Sequence, residues 1–551
     1  MADAVPAPKR QKREADAPAA VKQSAATPRA ATDARECRFY LTRLKNAPAA
    51  HNLHCKSLHD LLEGEFTRCL LTNYMYDLPW LFSECPRLRQ VPVLLVHGER
   101  DRQGMTKKCR EYANVTPVAP PLPIPFGTHH TKMLVALYPD KVRVAIFTAN
   151  FLSGDWNTKT QGVWFQDFSL KILDDSEEEE EKEAVTASSR GGNDFEEDLV
   201  HYLSSLGAQV KLFCGELKRF DFSRARVALI PSVPGVHKGK DMERYGHLRV
   251  RKLLQTFNVP QTDNPLICQF SSLGSLDEKW LFGEFAESFL PGKKNISASS
   301  MPVQALHIIW PSVEDVRNSL EGWNSGRSIP CPLKNMKPFL HKYLRKWTPP
   351  SVLHRQNAMP HIKSYARFDP SDEAAGALDW AIVTSSNLSK AAWGTLQKKK
   401  TQFMVRSYEL GVMFLPPLLA HQNGGTSPHL VTIGSKAAAG HSGVGDFESS
   451  EKQPKELLPL PYGFPLTTYN PKQDEPWPFG WLCLFATLTE TLGGSGFWSM
   501  KRNTQRPEQD LEVRITRWKD EGDYVCEGGS SDGRTGSSGV CGDDERSRSN
   551  E

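Results

Sequence analysis

Beyond the first 36 residues, short apolar runs alternate with segments in which apolar residues recur at steps of three and four. The runs 91–96, 132–137 and 142–147 are rich in Val and Leu and end at turn residues, which predicts buried strands. The segments 57–62 and 195–206 have the helical period. This alternation predicts an α/β fold in which helices cover sheets.

A second set of strand-like runs follows in the C-terminal half, at 226–230, 266–270, 303–310, 380–384 and 402–415. Because each half carries its own strands and helices, we predict two similar α-β-α sandwich domains over 37–221 and 222–477. A chain of 551 residues is long enough for two such cores.

Three segments lack the apolar residues that a packed core needs. Residues 1–36 are mostly Ala, Pro, Lys and Arg and predict a disordered basic tail, in which 8–13 is typical of a nuclear import signal. The acidic run 174–194 predicts a solvated insertion, and 478–551 predict a disordered C-terminal tail. We therefore expect the protein to reside in the nucleus.

Composition excludes several classes of protein. No apolar stretch approaches the ~20 residues that cross a bilayer, so we expect no membrane span. The 11 cysteines include no CxxC pair, which argues against a disulfide scaffold and a structural zinc module. A net charge of +4 identifies no partner, although it is compatible with nucleic acid.

One constellation of polar residues occurs twice, once in each half of the chain. Each copy has a His-x-Lys motif, then a strand-like run, then an Asn, then an amide or carboxylate side chain. The first copy comprises His130, Lys132, Asn150 and Gln161, and the second comprises His361, Lys363, Asn387 and Glu409.

The two copies together suit the chemistry of a phosphate diester. In an extended segment the His and Lys of each motif project to one face, and two such pairs could enclose one phosphate across a pseudo-twofold interface. The lysines and Asn amides would hold phosphate oxygens, while one imidazole attacks phosphorus and the other protonates the leaving oxygen. Gln161 and Glu409 are candidates to orient the rings. This mechanism needs neither a metal nor another cofactor.

Other interpretations of the motifs remain open at this point. A single His-x-Lys is common by chance, and only the repetition makes it informative. A metal site on His129 and His130 is disfavoured, because adjacent residues of an extended segment point to opposite faces. We expect His129 to pack or to form a hydrogen bond.

Longer strings around these motifs resemble the tyrosyl-DNA phosphodiesterases, a branch of the phospholipase D superfamily. The strings are FGTHHTKM at 126–133, FSSLGS at 270–275 and NLSKAAWG at 387–394, and the resemblance extends over about 39–477. The wider superfamily has an Asp shortly after each His-x-Lys, whereas this chain has Leu137 and Phe368 there. Beyond 476–477 the chain departs from the family pattern.

The resemblance implies a DNA repair enzyme that removes a topoisomerase I-derived tyrosine, and other adducts, from 3′ phosphates of DNA. It implies that His130 is the nucleophile and His361 the general acid and base, with Lys132 and Lys363 binding the phosphate. The supporting roles fall on Asn150, Asn387, Gln161 and Glu409.

The resemblance also implies how the substrate lies. Phe126 would stack on a base, and the DNA backbone would contact Ser389 and the loop formed by Ser272, Leu273, Gly274 and Ser275. Tyr74 would face the bound peptide. From the residues alone, 272–275 is typical of a turn at a strand end, and Tyr74 is typical of a core aromatic.

We therefore expect a monomeric, metal-independent phosphodiesterase acting on single-stranded, nicked or blunt-ended DNA. Two alternatives remain: a phospholipase D-like enzyme acting on lipid head groups, and a catalytically inactive protein that binds DNA ends.

Overall fold

The computed structural model describes residues 37–172, 194–290, 301–370, 376–420, 427–433 and 455–478. The predicted N-terminal tail, nearly all of the acidic insertion and nearly all of the C-terminal tail lie outside these residues. Among the helices within the described ranges, none has both the length and the apolar character needed to cross a bilayer.

An eight-stranded sheet forms from the N-terminal part of the chain, in the order β2-β1-β8-β7-β6-β3-β4-β5. The neighbouring pairs β3–β6, β6–β7 and β7–β8 are antiparallel, whereas the pairs β3–β4 and β4–β5 are parallel. The strands are β1 Tyr40–Thr42, β2 Cys55–Lys56, β3 Arg68–Asn73, β4 Val93–His97, β5 Val115–Val118, β6 Met133–Leu137, β7 Lys141–Phe147 and β8 Gly162–Ser169.

A nine-stranded sheet forms from the C-terminal part, in the order β13-β12-β11-β14-β15-β18-β9, with β19 beside β15 and β20 beside β19. Its strands are β9 Ala228–Ser232, β11 Leu266–Gln269, β12 Leu306–Ile309, β13 Leu344–Arg345, β14 Ser364–Phe368, β15 Ala377–Thr384, β18 Glu409–Phe414, β19 His429–Thr432 and β20 Lys455–Leu458. A separate three-stranded sheet has β17 Gln402–Val405 between β10 Gly235–His237 and β16 Thr395–Gln397.

Helices begin where short polar side chains cap them and where apolar residues can pack. Ser57 and Asp60 form a capping box, in which each side chain accepts a hydrogen bond from the other's backbone N–H. The α-helices are Leu58–Leu61, Leu78–Glu84, Arg102–Cys109, Ser153–Asn157, Phe195–Ser204, Ala208–Leu217, Gly246–Thr256, Glu278–Trp280, Glu287–Phe289, Val313–Arg317, Lys390–Trp393 and Pro416–Ala420.

Alternation along the strands builds two apolar layers on the first sheet. In β6, Met133 and Val135 join a core that also contains side chains of the second sheet, whereas Leu134 and Ala136 face a separate layer under the first three helices. Because the first of these layers is shared, the two sheets are held together by one continuous core.

The α/β class predicted from the sequence is confirmed, and the runs 91–96, 132–137 and 142–147 all contain strands. The prediction of one run over 402–415 was wrong, since it holds β17 and β18, which belong to different sheets. Between them, the N–H groups of Arg406 and Ser407 bond to the carbonyl of Ala391, which diverts the backbone. In 303–310 only 306–309 is a strand. The boundary near 222 and the pseudo-twofold axis remain predictions.

Gly162 marks a close approach between the two parts of the chain. A Cβ at this position would lie 2.8 Å from Val383 Cγ1 and 2.9 Å from Ile362 Cδ1, so only glycine leaves room for these side chains. Ile362 is the middle residue of the second His-x-Lys motif.

We expect Gly162→Ala to lower the free energy of unfolding by about 1–3 kcal/mol, because the added methyl group overpacks the core. Urea unfolding followed by tryptophan fluorescence measures this change. Gly215→Ala is the matched control, since a Cβ on this helical glycine meets nothing within 4 Å. Gly215→Ala should leave the free energy of unfolding unchanged or raise it slightly. Equal effects of the two variants would contradict the steric explanation.

Candidate active site

His130 is held by residues that are remote in sequence. Its N–H donates to the carbonyl of Tyr408 at 3.0 Å, and its Nδ1 lies 3.0 Å from Glu409 Oε2 and 3.1 Å from the carbonyl of Ser385. The Ser385 hydroxyl donates to the same carboxylate oxygen. Since both neighbours of Nδ1 are acceptors, the proton of the neutral ring lies on Nδ1, and Nε2 keeps its lone pair.

His361 is held by Thr160 and Gln161, which belong to the N-terminal part of the chain. Its N–H donates to the carbonyl of Thr160 at 2.9 Å. With the amide oxygen of Gln161 toward the ring, that oxygen accepts from Nδ1–H at 2.9 Å, while the amide nitrogen donates to Thr148 Oγ1 at 2.7 Å. Each histidine is therefore oriented by a residue from the other part of the chain.

Both His-x-Lys motifs lie immediately before β6 and β14 rather than within those strands. Their middle residues make contacts elsewhere. Between His and Lys, the Thr131 hydroxyl lies 2.5 Å from the Tyr202 hydroxyl, and Ile362 packs in the core. The His and Lys side chains are thus left for the opposite face.

The two lysines are buried beside their histidines. Lys132 Nζ donates to the carbonyl of His130 at 2.6 Å, and Lys363 Nζ donates to the carbonyl of His361. Both lysine side chains have no exposed surface. An ammonium group has three N–H donors, so each lysine retains donors for a further acceptor.

A buried carboxylate that the sequence analysis missed lies beside His361. Asp155 Oδ2 is 3.7 Å from His361 Nδ1 and accepts from the backbone N–H and the side-chain amide of Asn150, at 2.8 and 2.9 Å. Asp155 Oδ1 lies 3.3 Å from Lys159 Nζ, which also pairs with Glu321 at 3.0 Å. The four-residue spacing of Asp155 and Lys159, between Asn150 and Gln161, was an available signal.

The two asparagines differ in their contacts. One amide N–H of Asn150 donates to Asp155, which leaves its second N–H for another acceptor, so its role in holding a phosphate oxygen stays a prediction. Asn387 Oδ1 accepts from the N–H of Ser271 at 3.1 Å, which leaves its amide hydrogens for another acceptor.

The neighbouring aromatic residues take different positions. His129 is fully buried with Nε2 2.5 Å from the Thr72 hydroxyl, which confirms that it forms a hydrogen bond. Tyr74 is half-buried; its ring centre lies 5.5 Å from the ring of His130 and 5.7 Å from Lys132 Nζ. Tyr74 therefore borders the site rather than the core.

The residues expected on the DNA side come together around the helix Lys390–Trp393. Ser389 caps this helix, and a Cβ on Gly274 would lie 2.7 Å from the Ser389 Cβ. The Arg406 guanidinium donates to the carbonyl of Pro125 at 2.9 Å, next to Phe126, whose side chain is 94% exposed. Phe126 has a φ of 62°, so its backbone is left-handed.

Within 272–275, the side chains differ in accessibility. Ser272 is half-buried and Ser275 is exposed. Leu273 is buried, and its carbonyl accepts from the Asn335 amide at 2.9 Å, so Leu273 offers DNA neither a side chain nor this carbonyl.

Burial is the main factor that disfavours the charged forms of the two histidines and the two lysines. Burial and, next, the ammonium of Lys363 hold the pKa of His361 well below its usual range. Burial lowers the pKa of His130, although the Glu409 carboxylate opposes the shift. Burial lowers the pKa of Lys132 to about 8 and the pKa of Lys363 well below its usual range. An anion between these groups would supply the missing opposite charge.

The comparisons with known proteins agree with this geometry. A family model described as tyrosyl-DNA phosphodiesterase matches residues 38–470. Tyrosyl-DNA phosphodiesterase 1 of Arabidopsis thaliana is 41% identical over 466 residues, covering 80% of this chain and 73% of that protein. Tyrosyl-DNA phosphodiesterase 1 of Drosophila melanogaster is 30% identical over 470 residues, covering 81% and 74%.

The fold is shared with a crystal structure of the yeast tyrosyl-DNA phosphodiesterase. The two match with a TM-score of 0.58 at 18% sequence identity, over 80% of this chain and 100% of that one.

We expect the affinity for a 3′-phosphorylated oligonucleotide to fall as the pH rises through about 8, because Lys132 then loses the proton that makes it cationic. Fluorescence anisotropy across this interval measures the dissociation constant. Lys132→Arg should bind the oligonucleotide more weakly, but its affinity should depend less on pH, since arginine stays charged. Lys211→Arg, on an exposed helix face, is the control. A constant affinity of the unaltered protein across the interval would contradict the assignment.

Proposed function

The chain belongs to the tyrosyl-DNA phosphodiesterase family, and we propose that it repairs DNA by hydrolysing 3′-phosphotyrosyl bonds and related 3′ adducts. The topoisomerase I-derived tyrosyl peptide is the adduct that the family resemblance implies. The observation that carries the proposal is the reciprocal arrangement in which each histidine of two His-x-Lys motifs is oriented from the other part of the chain.

In the first step His130 acts as the nucleophile. Nε2 of the neutral ring attacks phosphorus, and the bond from phosphorus to the tyrosyl oxygen breaks. The leaving oxygen takes a proton from Nε2 of protonated His361, which gives a phosphohistidine and a released tyrosyl peptide. The anionic diester and the nearby Asp155 carboxylate favour the protonated form of His361.

In the second step His361, now neutral, removes a proton from water. The water oxygen attacks phosphorus, the bond from phosphorus to His130 breaks, and DNA leaves with a 3′-phosphate. His361 is again protonated and His130 again neutral, so the cycle closes.

The lysines supply the positive charge that the transition state needs. Lys132 and Lys363 are already fixed by hydrogen bonds to the histidine carbonyls, so little reorganisation is needed when phosphate oxygens arrive. The phenol of tyrosine, with a pKa of about 10, needs less protonation by His361 than an alkyl alcohol would.

The alternatives from the sequence are not favoured. The family match argues against a lipid phosphodiesterase, and the intact set of histidines and lysines argues against an inactive DNA-end binder.

The basic cluster at 8–13 and the DNA substrate support a location in the nucleus. We keep the expectation of a monomer acting on single-stranded, nicked or blunt DNA as part of the proposal.

The main test is the hydrolysis of a 3′-phosphotyrosyl oligonucleotide, with a 3′-phosphoglycolate end assayed in parallel. We expect both to be processed in the presence of EDTA, because protein cations supply the charge at phosphorus. His130→Ala should abolish turnover, since the nucleophile is lost. His59→Ala, at an exposed histidine, is the matched control. Normal hydrolysis by His130→Ala would overturn the assignment.

A second variant separates the roles of the two histidines. His361→Ala should still form the phosphohistidine with a tyrosyl substrate, but should accumulate it because no base activates water. Denaturing electrophoresis of labelled DNA detects the covalent complex. Failure of His361→Ala to accumulate it, with turnover retained, would exclude His361 as the base.

We expect Asp155→Asn to act through His361. Loss of the carboxylate removes a charge that favours protonated His361, so protonation of the leaving group slows. The loss in kcat should be about tenfold or more greater for tyrosyl than for 4-nitrophenyl substrates, which need no acid. Glu314→Gln, at an exposed carboxylate, is the control. Equal losses with both substrates would indicate a structural role only.

A further inference from the structure

Three consecutive lysines form the tip of a β-hairpin beside the DNA-side residues. We call this element the lysine hairpin: strands β16 and β17 with Lys398, Lys399 and Lys400 between them. The three side chains are exposed.

The backbone of this tip is unusual. Its lysines have φ values of 45°, 56° and 67°, in the left-handed region that non-glycine residues rarely adopt. The loop is closed by Thr401, whose N–H and hydroxyl donate to the carbonyl of Lys398 at 3.2 and 2.8 Å. The lysines are therefore presented on a fixed turn rather than on a loose loop.

Further lysines lie at the same end of the three-stranded sheet. Strand β10 pairs with β17 so that His237 lies opposite Phe403, which brings the next residue, Lys238, to the hairpin tip. Lys238 and Lys240 are exposed. Asp241, on the same segment, faces Arg244 at 3.9 Å. The carboxylate of Glu284 accepts from the N–H of Leu396 at 2.8 Å. The positive charge of Lys400 acts to lower the pKa of this carboxyl group, although burial raises it overall.

Both strands of the hairpin begin or end among the residues expected on the DNA side. Strand β16 follows the helix that Ser389 caps, and β17 leads into Arg406, which is bonded beside Phe126. The hairpin tip therefore extends the surface along which we expect the DNA strand to leave the site.

We infer that the lysine hairpin binds the phosphate backbone of the DNA strand several nucleotides 5′ of the adduct, which extends the binding surface beyond the catalytic centre. This inference rests on the proposed function. From Lys400 to Tyr408, whose carbonyl holds His130, the chain advances at most about 26 Å at 3.3 Å per residue. That length corresponds to about eight nucleotides at 3.4 Å each.

The test compares substrate lengths. Lys398→Asn/Lys399→Asn/Lys400→Asn removes the charges, and asparagine tolerates the left-handed backbone. Single-stranded 3′-phosphotyrosyl oligonucleotides of about four and about eighteen nucleotides fall below and above the required reach. For the long substrate KM should rise several-fold with kcat unchanged. The slope of log KM against log salt should fall by about two. The short substrate should be unaffected.

Two further variants make the result specific. Lys398→Arg/Lys399→Arg/Lys400→Arg keeps the charges and should keep the length dependence. Lys107→Gln/Lys108→Gln/Lys211→Gln removes the same charge from exposed helical positions and should not change it. Equal changes for both substrate lengths, or none, would overturn the inference. If the unaltered protein hydrolysed neither substrate, the proposed function would fail instead.

Discussion

The site depends on the exchange of orienting residues between the two parts of the chain. Glu409 orients His130, and Gln161 orients His361, across 279 and 200 positions of sequence. The exchange is possible only because a shared apolar core brings the two sheets together and because Gly162 leaves room for Ile362. Packing between the two sheets therefore determines which nitrogen of each imidazole is held by the protein and which is left for a substrate.

Burial of the cationic groups has a cost that the substrate offsets. Two lysines with no exposed surface lie beside His361, which is buried, and His130, which is half-buried, while Glu409 and Asp155 supply only part of the opposite charge. Such a cavity is least favourable when empty and improves when an anion enters. The same feature that weakens the isolated fold locally favours the binding of an anion.

Much of this arrangement could be predicted from the sequence, because the repeated His-x-Lys motifs and the apolar runs are local patterns. What the sequence did not reveal depends on contacts between distant segments. Asp155 was missed because its relation to His361 arises only after folding. The run 402–415 was read as one unit because nothing local indicates that Ala391 diverts its backbone. The direction of the Asn150 amide likewise depends on Asp155.

The reciprocal orientation also affects the order in which activity is acquired during synthesis. His130 leaves the ribosome long before Glu409, so a nascent chain contains the nucleophile without the carboxylate and carbonyl that select its tautomer. A chain terminated between these residues would retain the first motif as an unaligned imidazole. The aligned nucleophile therefore forms only after Glu409 has been synthesised and has folded against His130.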